Sequence, residues 1–217
     1  SSAASDVYKR QLPIGCDVPE TIILADGDFP SHPLALEWLR QCPYVVCCDG
    51  AANTYIRSGR MPEAIVGDGD SLLPDIKERY ASLIHSEAEQ ETNDLSKAFR
   101  FCLSQERKRI TIMGATGKRE DHTIGNVSLL ADYMEQAEVS MMTDYGIFVP
   151  IREDSMFESY IGQQISVFNM NSTALSAEGL AYPLSVFTNW WQGTLNEALA
   201  RHFIIRTEGK VLVFRVF

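Results

Sequence analysis

The chain predicts an α/β domain with a mainly parallel sheet, followed by an antiparallel β-sandwich. Three observations carry this. Short, non-alternating apolar runs recur through the first half, and amphipathic helical segments separate them. Near residue 138 this pattern gives way to short strand-like pieces split by turn signals. Unbroken runs rich in β-branched residues suit strands buried on both faces, and alternation with helices implies parallel crossovers.

In order, the apolar runs are Thr21-Ile22-Ile23-Leu24-Ala25, Tyr44-Val45-Val46-Cys47-Cys48, Ala64-Ile65-Val66 and Arg109-Ile110-Thr111-Ile112-Met113. Helices are expected from Pro33 to Arg40, with proline in the first turn, and from Ala51 to Arg57, ended by Ser58-Gly59. A third opens at Pro74. A fourth covers Asp94 to Gln105, where Leu95, Ala98, Phe99 and Cys102 share one face. A fifth covers His122 to Gln136. The later strand pieces are Glu138–Thr143, Gly146–Pro150, Gln164–Asn169, Ala200–Thr207 and Lys210–Phe217, with no helix among them. The expected division is 1–15 disordered or non-native, 16–140 as the α/β nucleotide-binding domain, and 141–217 as the sandwich.

Composition narrows the function. Net charge is −10 with pI near 4.9, and no cluster of Lys and Arg offers a duplex-binding surface, so no nucleic-acid partner is expected. No apolar stretch approaches the ~20 residues that cross a bilayer, and no basic-then-apolar leader opens the sequence, so no membrane partner is expected either. Five cysteines, odd in number and without a Cys-x-x-Cys spacing, argue for reduced thiols and a cytoplasmic protein.

Four polar segments follow the apolar runs or open a helix. Gly67-Asp68-Gly69-Asp70-Ser71 sets two carboxylates two residues apart in a glycine-flanked loop. They can turn toward one hard cation such as magnesium, or form an Asx-type turn. Asp49-Gly50-Ala51-Ala52-Asn53 joins a strand to a helix. It suits an anion at the helix N-terminus, or Asp49 is simply the cap. Asn93-Asp94 and Lys97 place a carboxylate and an ammonium on one helix face, as metal ligand and phosphate contact or as a surface ion pair. Gly114-Ala115-Thr116-Gly117-Lys118-Arg119-Glu120-Asp121-His122 offers backbone N–H groups, two cations, a carboxylate and a histidine. It matches neither a Walker A loop nor a dinucleotide fingerprint. Carboxylates gathered on one rim without compensation repel, which implies a bound cation.

Taken together in chain order, from Asp49 through Gly67 and Asn93 to Gly114, these four segments resemble the thiamine pyrophosphokinase family, and Glu178-Gly179-Leu180-Ala181-Tyr182-Pro183-Leu184 resembles that family's Gly-Leu-x-Tyr-Pro-Leu segment. The resemblance implies an α/β nucleotide domain and a thiamine-binding β domain. It implies a homodimer with shared active sites, and transfer of a diphosphoryl group from ATP to the thiamine hydroxyl, giving AMP and thiamine diphosphate with Mg²⁺. By resemblance Asp68, Asp70, Asp94 and Asp121 are catalytic, the first three as metal ligands. Asp49, Asn53, Ser71, Lys97, Arg119 and His122 would serve ATP. Gln90, Trp190, Trp191, Thr194 and Asn196 would serve thiamine. The adjacent indoles also suit a permanent cation on chemical grounds, or one faces the core and the other a dimer contact. Asn93 stands where the family usually has Thr, and Leu195-Asn196 where Ser-Asn is usual. Alternatives to this reading are a magnesium-dependent nucleotide hydrolase, another pyrophosphoryl transferase, or a non-catalytic nucleotide- or thiamine-binding regulator.

Overall fold

The structure is a computed structural model that describes residues 8–10, 17–87, 89 and 91–217. It divides into two compact units, Val18–Asp144 and Tyr145–Phe217, with the short N-terminal strand counted in the second.

In the first unit the elements are β2 (Ile22–Leu24), α1 (Pro33–Gln41), β3 (Val45–Cys48), α2 (Ala51–Arg57), β4 (Ala64–Val66), α3 (Pro74–Arg79), β5 (Ile84–His85), α4 (Asp94–Ser104), β6 (Arg109–Met113), α5 (Glu120–Tyr133) and β7 (Glu138–Met142); the label β1 belongs to Tyr8–Arg10. The strands run in the order β7-β6-β2-β3-β4-β5. Every pairing between them is parallel. β2, β3 and β4 are buried along their whole length, so the lack of alternation in the sequence reports burial on both faces. Cys47 and Cys48 lie in this layer as small core side chains, and burial raises both thiol pKa values.

The strand order has a functional consequence. From β2 the chain steps one way through β3 and β4 to β5, then returns to the other side of β2 as β6 and β7. The point where the direction reverses lies between β2 and β6. In open α/β sheets this is where ligands bind, beyond the carboxyl ends of the strands.

Helices cover the sheet as the apolar spacing requires. Leu95, Ala98, Phe99 and Cys102 are all buried, and α4 packs on β2, β3 and β4. Phe99 stacks on Tyr133 of α5 at 3.9 Å between ring centroids, and the Tyr133 hydroxyl lies 2.7 Å from Ser96 Oγ. α1 starts where His32 accepts the N–H of Leu34 through Nδ1. The segment before it is fixed by Asp144, whose carboxylate accepts from the N–H and hydroxyl of Ser31 and from the N–H of His32.

Burial works to raise the pKa of Asp144. The Ser31 hydroxyl and the two N–H donors outweigh it and hold this carboxyl below its ordinary value. A depressed carboxyl stabilises the fold above its unfolded pKa and stops doing so as pH falls through the folded one. Asp144→Asn is therefore expected to lose about 1–2 kcal/mol near neutral pH. That difference should shrink as pH falls below the ordinary carboxyl value of 3.8, as read from urea midpoints at pH 7 and pH 3.

The second unit contains β8 (Gly146–Ile151), β9 (Ser155–Glu158), β10 (Gln164–Asn169), β11 (Leu175–Glu178), β12 (Asn196–Glu197), β13 (His202–Thr207) and β14 (Val211–Val216). One sheet runs β12-β10-β14-β8 and is antiparallel throughout. The other runs β1-β9-β13-β11. Phe157 and Phe203 stack at 5.1 Å inside a core shared with Ile165, Val167, Ile205 and Val213, so this unit is a β-sandwich.

Three sequence expectations change. Glu138–Thr143 is expected among the later antiparallel pieces, but Glu138–Met142 pairs in parallel with β6, as the other strands of the first unit do with their neighbours. Its Val139, Met141 and Met142 are buried as the parallel layer demands. Within the stretch expected to be disordered, Tyr8–Arg10 pairs in parallel with β9; the rest of residues 1–15 lies outside the described residues. The sandwich also holds one short 3-10 turn, Trp190–Gly193, capped reciprocally by Asn189 and Gln192.

Candidate active site

The carboxylates converge because three consecutive parallel strands end at the same edge. Asp26 follows β2, Asp49 follows β3, and Asp68 follows β4. Asp94 opens α4, which packs across these strands.

Asp49 lies deepest, at 3% exposure, and takes a positive φ of 28°. It does not cap α2: Gly50 is the N-cap residue and no side chain caps that end. Instead Asp49 Oδ2 accepts the Ser71 N–H at 3.1 Å, while Oδ1 is buried with no donor. Burial, with Asp68 and Asp94 nearby, raises the Asp49 pKa. The exposed Asp68 is held low, chiefly by the N–H of Asp70, which donates to its Oδ1 at 3.0 Å. Gly67 is required here, since a Cβ at that position would meet Asp49 Cβ at 2.8 Å.

The loop from Gly67 to Ser71 is thus an Asx-type turn and also a carboxylate platform. Asn53 fixes its far end, donating to the carbonyl of Ser71 at 2.8 Å and accepting the N–H of Leu73 at 3.0 Å. Lys77 holds its middle by donating to the carbonyl of Gly69. The Asp70 side chain is exposed at the apex.

Lys97 is buried and donates to Asp94 Oδ1 at 3.2 Å, so this pair is no surface ion pair. Asn93 caps α4 through the N–H of Ser96 and donates to Asn126, which in turn donates to the carbonyl of Ala115. The start of α4 is tied in this way to the loop after β6. Arg119 forks onto Asp121 from an exposed position, and this hydrogen bond, with the charge behind it, lowers the Asp121 pKa. His122 is exposed beside them in the first turn of α5.

The structure therefore brings together Asp49, Asp68, Asp94, Lys97, Asn53 and Ser71. Arg119 and Asp121 stand as a separate pair. Asp26 and Lys118 are not among the site residues expected from the sequence, although Asp26 directly follows the first apolar run. Lys118 Nζ donates to the Asp26 carbonyl at 2.9 Å and to its Oδ1 at 3.1 Å. Asp26 Oδ2 occupies the space where a Cβ on Gly50 would go.

The residues named for thiamine are Gln90 and four side chains of the second unit. Gln90 lies outside the described residues. In the sandwich, Trp190 sets its ring edgewise to Phe168 at 6.2 Å, while Trp191 is 74% exposed. Thr194 closes the turn onto the carbonyl of Trp191. Asn196 is buried and exchanges two hydrogen bonds with the backbone of Tyr182, so its amide holds the Tyr182 segment in place.

Among the described residues no three His, Cys, Asp or Glu side chains form a ready-made metal cage. The Asp49 oxygen without a donor, beside a second carboxylate, nevertheless lacks a positive partner, and an all-oxygen donor set suits a hard cation.

This architecture defines a protein of two units: a parallel α/β unit with acidic residues beyond the carboxyl ends of its strands, and a β-sandwich. Residues 35–142 match the family model for the thiamin pyrophosphokinase catalytic domain, and residues 146–214 match that for the thiamin pyrophosphokinase substrate-binding domain. The chain belongs to the thiamin pyrophosphokinase family. It is 30% identical over 129 residues to thiamine pyrophosphokinase 1 of Oryza sativa subsp. japonica, a stretch covering 48% of this chain and 49% of that protein. It is 34% identical over 86 residues to thiamine pyrophosphokinase of Bacillus subtilis (strain 168), covering 38% of this chain and 40% of that one. The chain spans about half the length of the curated relatives it matches. Among solved structures, the thiamin pyrophosphokinase from Candida albicans superposes with a TM-score of 0.79 at 18% identity, covering 97% of this chain and 93% of that one. The yeast enzyme superposes at 0.77 with 14% identity, covering 100% and 94%. At these identities the superpositions show the fold.

Proposed function

We propose that the protein is a thiamine pyrophosphokinase, transferring a diphosphoryl group from ATP to the hydroxyl of thiamine and releasing AMP. The observation that supports this most directly is the buried Asp49 oxygen without a donor beside Asp68, at the ligand-binding edge of a chain of this family.

The thiamine hydroxyl attacks the β-phosphorus and AMP leaves, so the site must orient the nucleophile in line and offset charge on the phosphate oxygens. Mg²⁺ is the cation proposed for the edge, held by Asp68 and Asp70 with Asp94 and assisted by Asp49. Bound there, it would offset negative charge on the phosphate oxygens. Lys97 sets the orientation of Asp94. Asn53 and Ser71 hold the platform in register with Asp49. Arg119 leaves Asp121 for phosphate, which frees the Asp121 carboxylate to accept the hydroxyl proton. His122 adds a polar contact for the nucleotide. In the sandwich, Trp191 offers the more open aromatic face to the thiazolium cation, with Trp190 behind it. Gln90, Thr194 and Asn196 belong to the same proposed thiamine set, Asn196 through the backbone it fixes.

The working form proposed is a cytoplasmic homodimer with shared active sites. No helix among the described residues is long and apolar enough to cross a membrane. Sedimentation of the purified protein reads the oligomeric state.

The decisive measurement is AMP release from ATP and Mg²⁺ with and without thiamine. We expect AMP to form only when thiamine is present, in equal amount to thiamine diphosphate. AMP formed equally without thiamine would point to a hydrolase and overturn the assignment.

A further inference from the structure

The topological switch lies between β2 and β6, and the loops leaving these two strands are joined more closely than a parallel sheet requires. Past the last strand pairing, the Gly27 N–H donates to the carbonyl of Gly114 at 2.7 Å, and the Asp28 N–H to that of Thr116 at 2.9 Å. The approach is so close that neither Gly27 nor Gly117 has room for a Cβ. Lys118 then crosses back to Asp26, donating to both its carbonyl and its carboxylate. Lys118 holds a φ of 58°, a region that side-chain-bearing residues seldom adopt. That backbone conformation accompanies the return of its ammonium toward β2. Asp26 faces the other way as well, with Oδ2 against Gly50 at the start of α2.

We propose that Lys118 and Asp26 form a clamp across the switch point that sets the position of the following residues, Arg119 and Asp121, making Lys118 a positioning residue for the nucleotide. This rests on the thiamine pyrophosphokinase reading for its substrate, though the clamp itself is a property of the fold. Lys118 immediately precedes Arg119, the residue before α5, so any release of its side chain moves the Arg119–Asp121 pair directly. Asp26 ties the same loop to the β3–α2 connection that carries Asp49. The clamp thus links the separated basic and acidic parts of the site.

Lys118→Met keeps the backbone demand and the length of the side chain and removes only the ammonium. Asp26→Asn keeps the carbonyl acceptor and loses the charge. Steady-state AMP release should show Lys118→Met raising KM for ATP about fivefold, the upper range for a partly exposed charge pair. KM for thiamine should stay within about twofold, while kcat should fall by no more than KM for ATP rises, because Asp121 moves with Arg119. Asp26→Asn should have a smaller effect in the same direction, and the double variant should be no worse than Lys118→Met alone, because both act on one interaction. Amide hydrogen exchange across residues 114–121 should quicken in Lys118→Met.

An unmoved KM for ATP, a loss confined to kcat, or multiplicative effects in the double variant would each overturn the positioning role. If the parent protein releases no thiamine-dependent AMP, the functional reading fails by itself. The clamp is then decided by exchange, with unchanged rates across residues 114–121 overturning it and quicker exchange supporting it.

Discussion

Asp68→Asn is expected to leave the protein folded and to cut thiamine-dependent AMP release by at least about 10²-fold. Asp68 is exposed, so folding does not depend on it. Asparagine keeps an oxygen for the Asp70 N–H, so the turn survives. What disappears is the charge beside Asp49 that would bring in the cation. Asp49→Asn is an instructive contrast. Its carboxyl has a raised pKa because burial and the neighbouring Asp68 and Asp94 oppose ionisation. A carboxyl raised by folding binds its proton more tightly in the native state, so ionising it lowers stability as pH rises above the ordinary value of 3.8. Asp49→Asn should therefore lose activity as well, yet raise the thermal midpoint at neutral pH by a few degrees, the size expected for ~1 kcal/mol in a chain of this length. The gain should fade in acid. An Asp68→Asn protein with undiminished turnover would remove the acidic edge from the mechanism.

Much of the first unit was legible because burial on both faces of a parallel strand leaves an unmistakable apolar run, as in Val45–Cys48. Strand order was not legible. Neither Asp26 nor Lys118 carries a local signal that β2 and β6 are neighbours, so the contact between residues 92 apart emerges only from topology. Glu138–Met142 failed for a related reason. A five-residue strand can pair either way, and only the crossover through α5 makes it parallel to β6. The acidic residues were recognised one by one from their turns. Which of them meet was decided by helix packing that seats Lys97 in the interior, something a Lys three residues from an Asp does not announce. Short strands such as Leu175–Glu178 escaped because only one of their four residues is buried.

Phe99→Ala should be the most damaging single truncation in the α/β unit, costing about 3–5 kcal/mol. Phe99 is 2% exposed and lies between two structural demands. Its ring stacks on Tyr133, which joins α4 to α5, and it belongs to the face by which α4 covers β3 and β4. Removing the ring opens a cavity beneath the helix whose first turn carries Asp94 and Lys97, and it loosens Tyr133, whose hydroxyl pairs with Ser96 one turn before Phe99. The loss should thus appear in two readouts of different size. The urea midpoint should fall sharply at all pH values, since no titrating group is removed. Activity per folded molecule should fall by a smaller factor, because the residual helix still carries both charged groups. Phe99→Leu should recover most of the stability and nearly all of the activity, as a smaller cavity is left. If Phe99→Ala unfolds at the parent's urea concentration, α4 is not held by this stack, and the placement of Asp94 must be credited to the Asn93–Asn126 link instead.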